Sequence, residues 1–192
     1  MEPSRFFPER EKEALAYAEF LKGAGIERGL IGPREADRIW ERHILNCIPV
    51  STLMREGASV LDIGSGAGLP GVVIALARPD LKVTLLEPLQ RRVAFLEEAV
   101  AGLGVNVLRG KAESLKGQYD YVTARAVAPL SKLWEISKHL IKPGGSLLAM
   151  KGASAEHEIA GLTLPKGAFL ERKEINLDDL PSARVVAIRK AG

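Results

Sequence analysis

The chain has little cysteine, little histidine and no long apolar run, and each shortage excludes a class of protein. It is 192 residues long and has one cysteine, Cys47, which rules out an internal disulfide framework. Its three histidines are scattered, so we expect no metal site. No apolar run reaches membrane-spanning length, and the start Met1-Glu2-Pro3-Ser4-Arg5 is unlike a signal peptide. We therefore expect a cytoplasmic protein.

The net charge is also small, and +3 is too little to diagnose nucleic-acid binding. The distribution of the charged residues along the chain is more informative. Residues 108–151 contain eight Lys or Arg against three acids, whereas residues 1–57 contain nine against ten. This excess predicts that the second half of the molecule has a basic face on its predicted β-sheet. The alternative is that these charges only form a solvated surface.

Apolar strands alternate with amphipathic helices from residue 59 onward, which predicts an α/β fold with a mostly parallel sheet flanked by helices. Strands are predicted at 59–64, 82–87, 105–110, 119–126 and 145–151, and helices at 70–77, 89–102 and 129–140. Two antiparallel strands at 168–177 and 183–190 complete a seven-stranded sheet. Helical spacing at 8–23 and 33–47 predicts that residues 1–57 form a helical extension packed on a core of residues 58–192, as one compact unit.

The most informative segment runs from Val60 to Gly71, where an apolar strand enters glycines at alternate positions. Glycine has no Cβ, so the backbone can turn sharply and approach a ligand, and the next helix points free N–H groups at the same space. The following strand ends in Glu87, 19 residues past Gly68, where a carboxylate can accept both hydroxyls of a ribose. These features predict a nucleotide-type cofactor site.

The glycine spacing separates two cofactor classes. A dinucleotide site needs Gly-x-Gly-x-x-Gly, but Leu69 stands at the third position, and Asp62 would crowd a phosphate. The pattern instead resembles motif I of the Rossmann-like class I methyltransferases, whose cofactor S-adenosylmethionine has an ammonium, a sulfonium and no phosphate. A dinucleotide enzyme and a plain connecting turn are the alternatives. The expected cofactor residues of this segment are Asp62, Gly64, Ser65, Gly66, Gly68 and Leu69.

The carboxyl ends of the other strands supply further candidates, because ligands bind at that edge of such sheets. Ala112 N–H and the Glu113 carboxylate can meet an adenine, although Glu113 also suits a helix start. Arg125 and Lys151 follow the next two strands and can orient a guanine or hold its phosphate. A surface salt bridge is the alternative for Arg125. His43 lies on an apolar helix face and is either a substrate contact or a buried histidine bonded to backbone near the glycine loop.

The chain lacks the groups that several methylation chemistries require. No Asn/Asp-Pro-Pro-Tyr clamp follows the fourth strand, Cys47 lies in an N-terminal helix, and no general base is evident. Guanine N7 needs none of these, because its lone pair is free and the site must mainly hold two reactants in line. The inventory therefore favours guanine N7 as the reacting atom.

Several segments together resemble the ribosomal RNA small subunit methyltransferase G family, also called glucose-inhibited division protein B. The resemblance covers nearly the whole chain and implies methylation of N7 of a guanine of the guanine 527 type in the decoding-region loop of 16S rRNA. It places the family's cofactor contacts on Gly64, Leu69, Ala112, Glu113 and Arg125. The segments that carry it are Arg42-His43-Ile44-Leu45-Asn46-Cys47, residues 62–71, Leu86-Glu87-Pro88, Arg91-Arg92-Val93-Ala94-Phe95-Leu96, Arg125-Ala126 and Lys151-Gly152.

Two departures from the common family pattern resemble the actinobacterial branch. Gly29-Leu30-Ile31-Gly32 replaces an Asn-Leu-Thr segment, and Asn46-Cys47 replaces Asp-Ser. A small-molecule methyltransferase and a non-catalytic S-adenosylmethionine-binding RNA factor remain the alternative functions. We expect 16S rRNA, within the small ribosomal subunit, as the partner, and neither a membrane nor a metal. The sequence does not assign the oligomeric state, for which a monomer is the default.

Overall fold

The computed structural model describes residues 2–152 and 155–192, and its centre is a seven-stranded sheet in the order β3-β2-β1-β4-β5-β7-β6. The first five strands pair in parallel, and β7 pairs antiparallel with both β5 and β6. The fold class predicted from the sequence is confirmed. The strands are β1 Ser59–Ile63, β2 Lys82–Glu87, β3 Asn106–Arg109, β4 Tyr119–Arg125, β5 Ile141–Met150, β6 Phe169–Ile175 and β7 Ala183–Arg189.

Five α-helices accompany the sheet in the described part of the chain, and each of the first four lies within a predicted helix. They are α1 Glu11–Phe20, α2 Gly71–Ala77, α3 Gln90–Ala99, α4 Leu130–Ser137 and α5 Ala155–Ala160. The helix α2 is almost wholly buried because it consists of glycine, alanine and branched apolar residues. No helix in the two described ranges has both the length and the apolar character needed to span a membrane.

The strand β5 begins earlier than predicted. We expected it at residue 145, after a turn at residues 142–145, but Ile141 already pairs with Tyr119 of β4. The register then shifts before Tyr121 pairs with Ser146. Pro143 and Gly144 form an irregularity inside the strand, where a glycine with φ of +74° makes the bend.

The N-terminal extension is helical but less regular than predicted. Residues 33–47 were expected as one helix, whereas the structure has a 3₁₀ segment, Pro33–Arg38, a π segment, Ile39–Ile44, and a 3₁₀ turn, Leu45–Cys47. Tertiary contacts stabilise this irregular segment, because the Arg42 carbonyl accepts a hydrogen bond from the side chain of Arg125 in β4.

The extension shares one hydrophobic cluster with the sheet. Phe7, Tyr17 and Leu21 belong to the same buried cluster as Val72 of α2 and Phe95 of α3. The opposite face of the sheet packs on α4 and forms a second cluster. The extension therefore packs on the same face of the sheet as α2 and α3.

Candidate active site

The glycine loop after β1 has one open face. Gly64, Gly66 and Gly68 all have positive φ, at +65°, +57° and +98°. A Cβ added at Gly66 would meet nothing closer than Gly64 O, at 3.8 Å. At Gly64 a Cβ would lie 2.9 Å from Val127, and at Gly68 it would lie 2.5 Å from Val72. The loop thus presents its backbone to open space at Gly66 and packs against protein on either side.

Asp62 lies under this loop and is fully buried. Its Oδ2 accepts a hydrogen bond from Gly71 N–H at 3.1 Å, whereas Oδ1 has no hydrogen-bond partner among the described residues. Burial raises the pKa of Asp62 to about 7, although the Gly71 hydrogen bond opposes the shift. The Ser65 hydroxyl donates to the Asp62 carbonyl at 3.0 Å. A cation near Oδ1 would relieve an otherwise costly buried carboxylate.

Glu87 joins the glycine loop to the end of β2. Gly66 N–H donates to its Oε2 at 3.1 Å, and Leu89 N–H donates to its Oε1 at 3.0 Å. The carboxylate is 1% exposed, so both oxygens are fixed beside the open face of the loop. The structure therefore brings Asp62, Ser65, Gly66 and Glu87 together, as the sequence predicts.

Two residues of this region have roles that the sequence pattern did not reveal. A Cβ at Gly71 would lie 2.3 Å from Leu85 and 2.7 Å from Asp62 Oδ2, so only glycine lets α2 approach the sheet this closely. Tyr17 of the extension donates its hydroxyl hydrogen to Ala67 O at 2.8 Å and is buried. The signal for Tyr17 was its place on the apolar face of α1, which indicates burial but not the partner.

The remaining predicted adenine contacts follow β3. Ala112 is buried at the start of the 3₁₀ turn Ala112–Ser114. Glu113 has a side chain 52% exposed, 3.8 Å from Lys132 Nζ. The pairing of Leu86 with Leu108 puts this turn next to the end of β2. Leu69, the last residue predicted in the glycine segment, is half-buried and packs on the cluster shared with the extension.

Arg125 ends β4 and contacts the extension. Its Nη1 donates to Cys47 Sγ at 3.3 Å, and its Nη2 donates to Arg42 O at 3.1 Å. Burial raises the pKa of the Cys47 thiol to about 11, so this cysteine stays protonated and is not a nucleophile at neutral pH. Arg125 thus holds the extension against the strand edge in this structure.

His43 lies nearby, and its hydrogen bond differs from the one that the buried-histidine interpretation predicted. That interpretation gave it a backbone partner near the glycine loop, whereas its Nε2 pairs with Glu35 Oε2 at 3.1 Å. The side chain is 16% exposed. Burial and the charge of Arg125 lower the pKa of His43, against the opposing effect of Glu35. The irregular turns of residues 33–47 rotate the ring towards Glu35, which a regular helical wheel does not show.

Lys151 makes its contacts within the protein. Its Nζ donates to Ala128 O and to Glu158 Oε2, both at 2.7 Å, and Leu130 N–H donates to the same Glu158 oxygen at 2.6 Å. Lys151 and Glu158 are 11% and 23% exposed. They fix the loop at residues 126–129, whose Val127 lies against Gly64. Sequence reasoning missed Glu158, because nothing in its local pattern marks it as a partner of Lys151.

A cavity of about 630 Å³ opens at the ends of β4 and β5. Its walls combine cations, acids and amide or hydroxyl groups, so it can hydrogen-bond a polar ring on several sides. The residues that line it are Asn46, Arg125, Ala126, Met150, Lys151, Gly152, Glu158, Glu174, Ser182 and Arg184. Two predicted site residues, Arg125 and Lys151, therefore share one cavity, and Asn46, Glu174 and Arg184 were not foreseen.

The basic residues of the second half do not form a single face. Lys111 follows β3 at the active-site edge, whereas Lys138 and Lys142 lie near the start of β5, at the opposite end of the sheet. Lys138 pairs with Glu135 at 2.6 Å, and Lys142 pairs with Asp120 at 3.0 Å. The prediction of one basic face is wrong, because the chain crosses the sheet between these positions.

The geometry fits S-adenosylmethionine. The open backbone at Gly66 leaves room for a ligand, Glu87 offers a fixed carboxylate for hydroxyl groups, and Asp62 Oδ1 is a buried oxygen without a partner in the described structure. A cofactor with an ammonium group and a ribose suits these three groups. In the two described ranges, no cluster of three or more His, Cys, Asp or Glu side chains is arranged to hold a metal ion.

The family model described as rRNA small subunit methyltransferase G matches residues 10–174. The Nocardioides sp. protein named ribosomal RNA small subunit methyltransferase G is 50% identical over 96% of this chain. The Streptomyces avermitilis protein of the same name is 54% identical over 90% of this chain. The matches cover 77% and 76% of those two proteins. The Kineococcus radiotolerans protein of that name is 52% identical over 82% of this chain, and the match covers 64% of its length, less than two thirds.

Two solved structures with similar folds have low sequence identity to this chain. A predicted O-methyltransferase from Agrobacterium tumefaciens has a TM-score of 0.58 at 18% identity, covering 77% of this chain and 79% of that one. Aeropyrum pernix fibrillarin, solved with natively bound S-adenosyl-L-methionine, has a TM-score of 0.53 at 18% identity, with 72% and 68% covered. These likenesses establish the fold.

Proposed function

This chain belongs to the rRNA small subunit methyltransferase G family, and from that we propose that it methylates N7 of a guanine in the decoding-region loop of 16S rRNA, using S-adenosylmethionine. The geometric observation that carries the proposal is the Glu87 carboxylate, held by Gly66 N–H beside the open face of the glycine loop. We assign cofactor contacts to Asp62, Glu87 and the backbone of residues 64–69, with Ala112, Glu113 and Arg125 at the adjoining strand ends.

The reaction needs alignment more than acid or base chemistry. S-adenosylmethionine, when bound, supplies a methyl group activated by its sulfonium. The guanine N7 lone pair forms the new N–C bond as the C–S bond breaks, so positive charge passes to the base and no proton leaves N7. When the cofactor is bound, Asp62 would face its ammonium group and Glu87 would accept hydrogen bonds from its ribose hydroxyls. The protonated Cys47 takes no part in bond making.

The polar cavity at the ends of β4 and β5 is our proposed site for the target base. A base that reacts inside an enzyme pocket leaves its stack, and the cavity next to Arg125 offers charged and neutral hydrogen-bonding groups for it. Lys151 and Glu158 shape this cavity by holding the loop at residues 126–129. We place His43 outside the chemistry, as a structural partner of Glu35.

We further propose that the substrate is 16S rRNA within the small ribosomal subunit, that the enzyme acts as a monomer, and that it works in the cytoplasm with its substrate. Incubating the purified protein with labelled S-adenosylmethionine and small subunits from a strain that lacks the gene tests the activity. Borohydride reduction followed by aniline should then cleave 16S rRNA at a single new 7-methylguanosine in the decoding-region loop.

Three outcomes separate the competing functions. Methyl incorporation without aniline cleavage means that another atom reacts. Cofactor binding with no incorporation into RNA or subunits supports a non-catalytic binding factor if the protein retains RNA, and a small-molecule methyltransferase if it does not. Activity on naked rRNA but not on subunits contradicts the proposed substrate while leaving the reaction intact.

A further inference from the structure

A second cavity lies outside the active site, between the loop at residues 28–30 and the first turn of α3. Its volume is about 270 Å³. Its lining consists of Arg28, Gly29, Leu30, Arg91 and Arg92. Three of these five residues are arginines, and no acidic residue of the described ranges lines the cavity. A concave surface of this composition suits an anionic group.

Arg28 is a fixed wall of this cavity. Its two terminal nitrogens donate to the two carboxylate oxygens of Glu98, at 2.8 Å each. The guanidinium also lies over the rings of Phe20 and Phe95, 5.9 and 5.8 Å from their centroids. These contacts orient the group before any ligand binds, so less side-chain entropy is lost on binding. Glu98 neutralises much of its charge.

Arg91 and Arg92 provide charge that the protein does not neutralise well. Arg92 Nη1 is 3.9 Å from Glu87 Oε2, a long contact with a buried carboxylate that already accepts two backbone hydrogen bonds. Arg91 is exposed and makes no ion pair in residues 2–152 and 155–192. Both belong to the first turn of α3, which contains no acidic residue. Cations at a helix start add to the positive potential of the helix dipole, so an anion there is stabilised.

We propose that this arginine cavity binds a phosphate group of the 16S rRNA backbone outside the target nucleotide. The inference rests on the proposed function, because it needs RNA as the substrate. Guanidinium groups match phosphate geometry, and several of them around one concave space hold it from more than one side. α3 follows β2, whose last residue is Glu87, so the cavity opens at the same edge of the sheet as the active site. RNA that enters the active site can therefore continue across it.

The test compares Arg91→Ala with Arg189→Ala in the full-length enzyme. Arg189 is a matched control, since it is also exposed and makes no ion pair in the described ranges, but it lies at the far end of β7. Arg91→Ala should raise the KM for the RNA substrate about tenfold at 0.1 M salt, the value of one charged hydrogen bond. It should also reduce the slope of log KM against log salt by about 1. The Kd for S-adenosylmethionine should not change, and Arg91→Lys should restore part of the loss.

Competition with inorganic phosphate shows whether the cavity binds an RNA backbone phosphate or a free phosphate compound. Millimolar phosphate should raise the RNA KM of the wild type and have less effect on Arg91→Ala. Unchanged RNA KM and salt slope in Arg91→Ala, or an equal loss in Arg189→Ala, overturns the site. Saturable phosphate binding with unchanged RNA KM in Arg91→Ala means that the cavity takes a free phosphate compound, which also overturns it. If the wild type methylates no RNA, the proposed function fails, and RNA affinity measured by fluorescence anisotropy still tests the cavity.

Discussion

At the scale of single residues, the active site contains a carboxylate in an environment that penalises its charge. Asp62 is fully buried, one of its oxygens has no partner in the described structure, and its pKa lies near 7. Such a group is costly where no positive charge lies beside it and useful beside a cation. Stability and cofactor affinity should therefore depend on pH in opposite directions.

The variant Asp62→Asn tests this dependence. The folded protein keeps the Asp62 proton between pH 4 and about 7, whereas the unfolded chain has lost it, so the free energy of unfolding falls as pH rises through this window. The fall is at most about 1.4 kcal/mol per pH unit. Urea unfolding from pH 4.5 to 7.5 should show Asp62→Asn gaining stability relative to the wild type. Parallel pH profiles contradict the assignment.

The affinity of the wild type for S-adenosylmethionine should rise with pH, opposite to its stability, and Asp62→Asn should lack this rise. Ionised Asp62 attracts the ammonium, so the affinity of the wild type for S-adenosylmethionine should increase from pH 6 to pH 8. Asp62→Asn should bind more weakly and show no increase in that range when calorimetry is repeated at each pH. A rise of equal size in the variant assigns the effect to another group.

Gly66 is the residue where the loop must remain open. Gly66→Ala places a methyl group in the space at φ +57°, so it should abolish S-adenosylmethionine binding, as measured by calorimetry. Gly104→Ala is the control, because Gly104 has φ +70° and nothing within 4 Å of an added Cβ. Both variants should lose about 1 kcal/mol of stability to the left-handed backbone. Cofactor binding by Gly66→Ala at wild-type affinity contradicts the assigned site.

At the scale of secondary-structure elements, α5 acts on the site through one contact. Glu158 accepts hydrogen bonds from Lys151 and from the backbone at the start of α4. Burial raises the pKa of Glu158, but these two hydrogen bonds outweigh it, so the pKa lies below its usual value. The helix therefore braces the loop at residues 126–129 between the glycine loop and the substrate cavity.

The variants Glu158→Gln and Lys151→Met should each destabilise the protein by about 1 to 3 kcal/mol, because each leaves a half-buried charged or polar partner unpaired. The double variant should lose less than the sum. Turnover should fall more than cofactor affinity, since the loop borders the substrate cavity. Glu156→Gln is the control on the same helix, where the exposed pair with Arg172 contributes little. Strict additivity in the unfolding measurements contradicts the coupling.

At the scale of the whole molecule, the N-terminal extension and the sheet share one core. Phe7, Tyr17, Leu21, Ile39 and Ile44 of the extension are buried in the cluster that includes α2 and α3. Arg10 also donates to the carbonyl groups that end α2 and follow α3, Ala75 O at 3.3 Å and Leu103 O at 3.1 Å. Removing the extension would expose this apolar face to water.

A chain of residues 58–192 should therefore fail to unfold cooperatively. Near-ultraviolet circular dichroism and urea titration of this truncated chain should show a molten or aggregated state. A chain that starts at residue 6 is the control, since the turn Pro3–Arg5 contains no buried residue. Cooperative unfolding of residues 58–192 with S-adenosylmethionine bound would mean that the extension serves the substrate alone.

The sequence by itself determined the sheet, the cofactor loop and the family. These features depend on short-range patterns: β-strands alternate with helices, glycines repeat at positions 64, 66 and 68, and Glu87 ends β2 as predicted. Each needs only a backbone preference or a periodicity that neighbouring residues fix. The groups that the chain lacks favoured guanine N7 as the reacting atom, and the resemblance to the family then added the RNA substrate, which no local pattern gives.

Only the tertiary structure decided which side chains meet. Arg125 reaches Cys47 across 78 positions, Tyr17 reaches Ala67 across 50, and Lys151 turns to Glu158 instead of facing the substrate alone. A periodic pattern tells which face of an element is buried but not which element covers it. The contacts of Arg125 and Tyr17 follow from the crossing of segments far apart in the chain, whereas Glu35 and His43 meet over only eight positions because residues 33–47 do not form one regular helix.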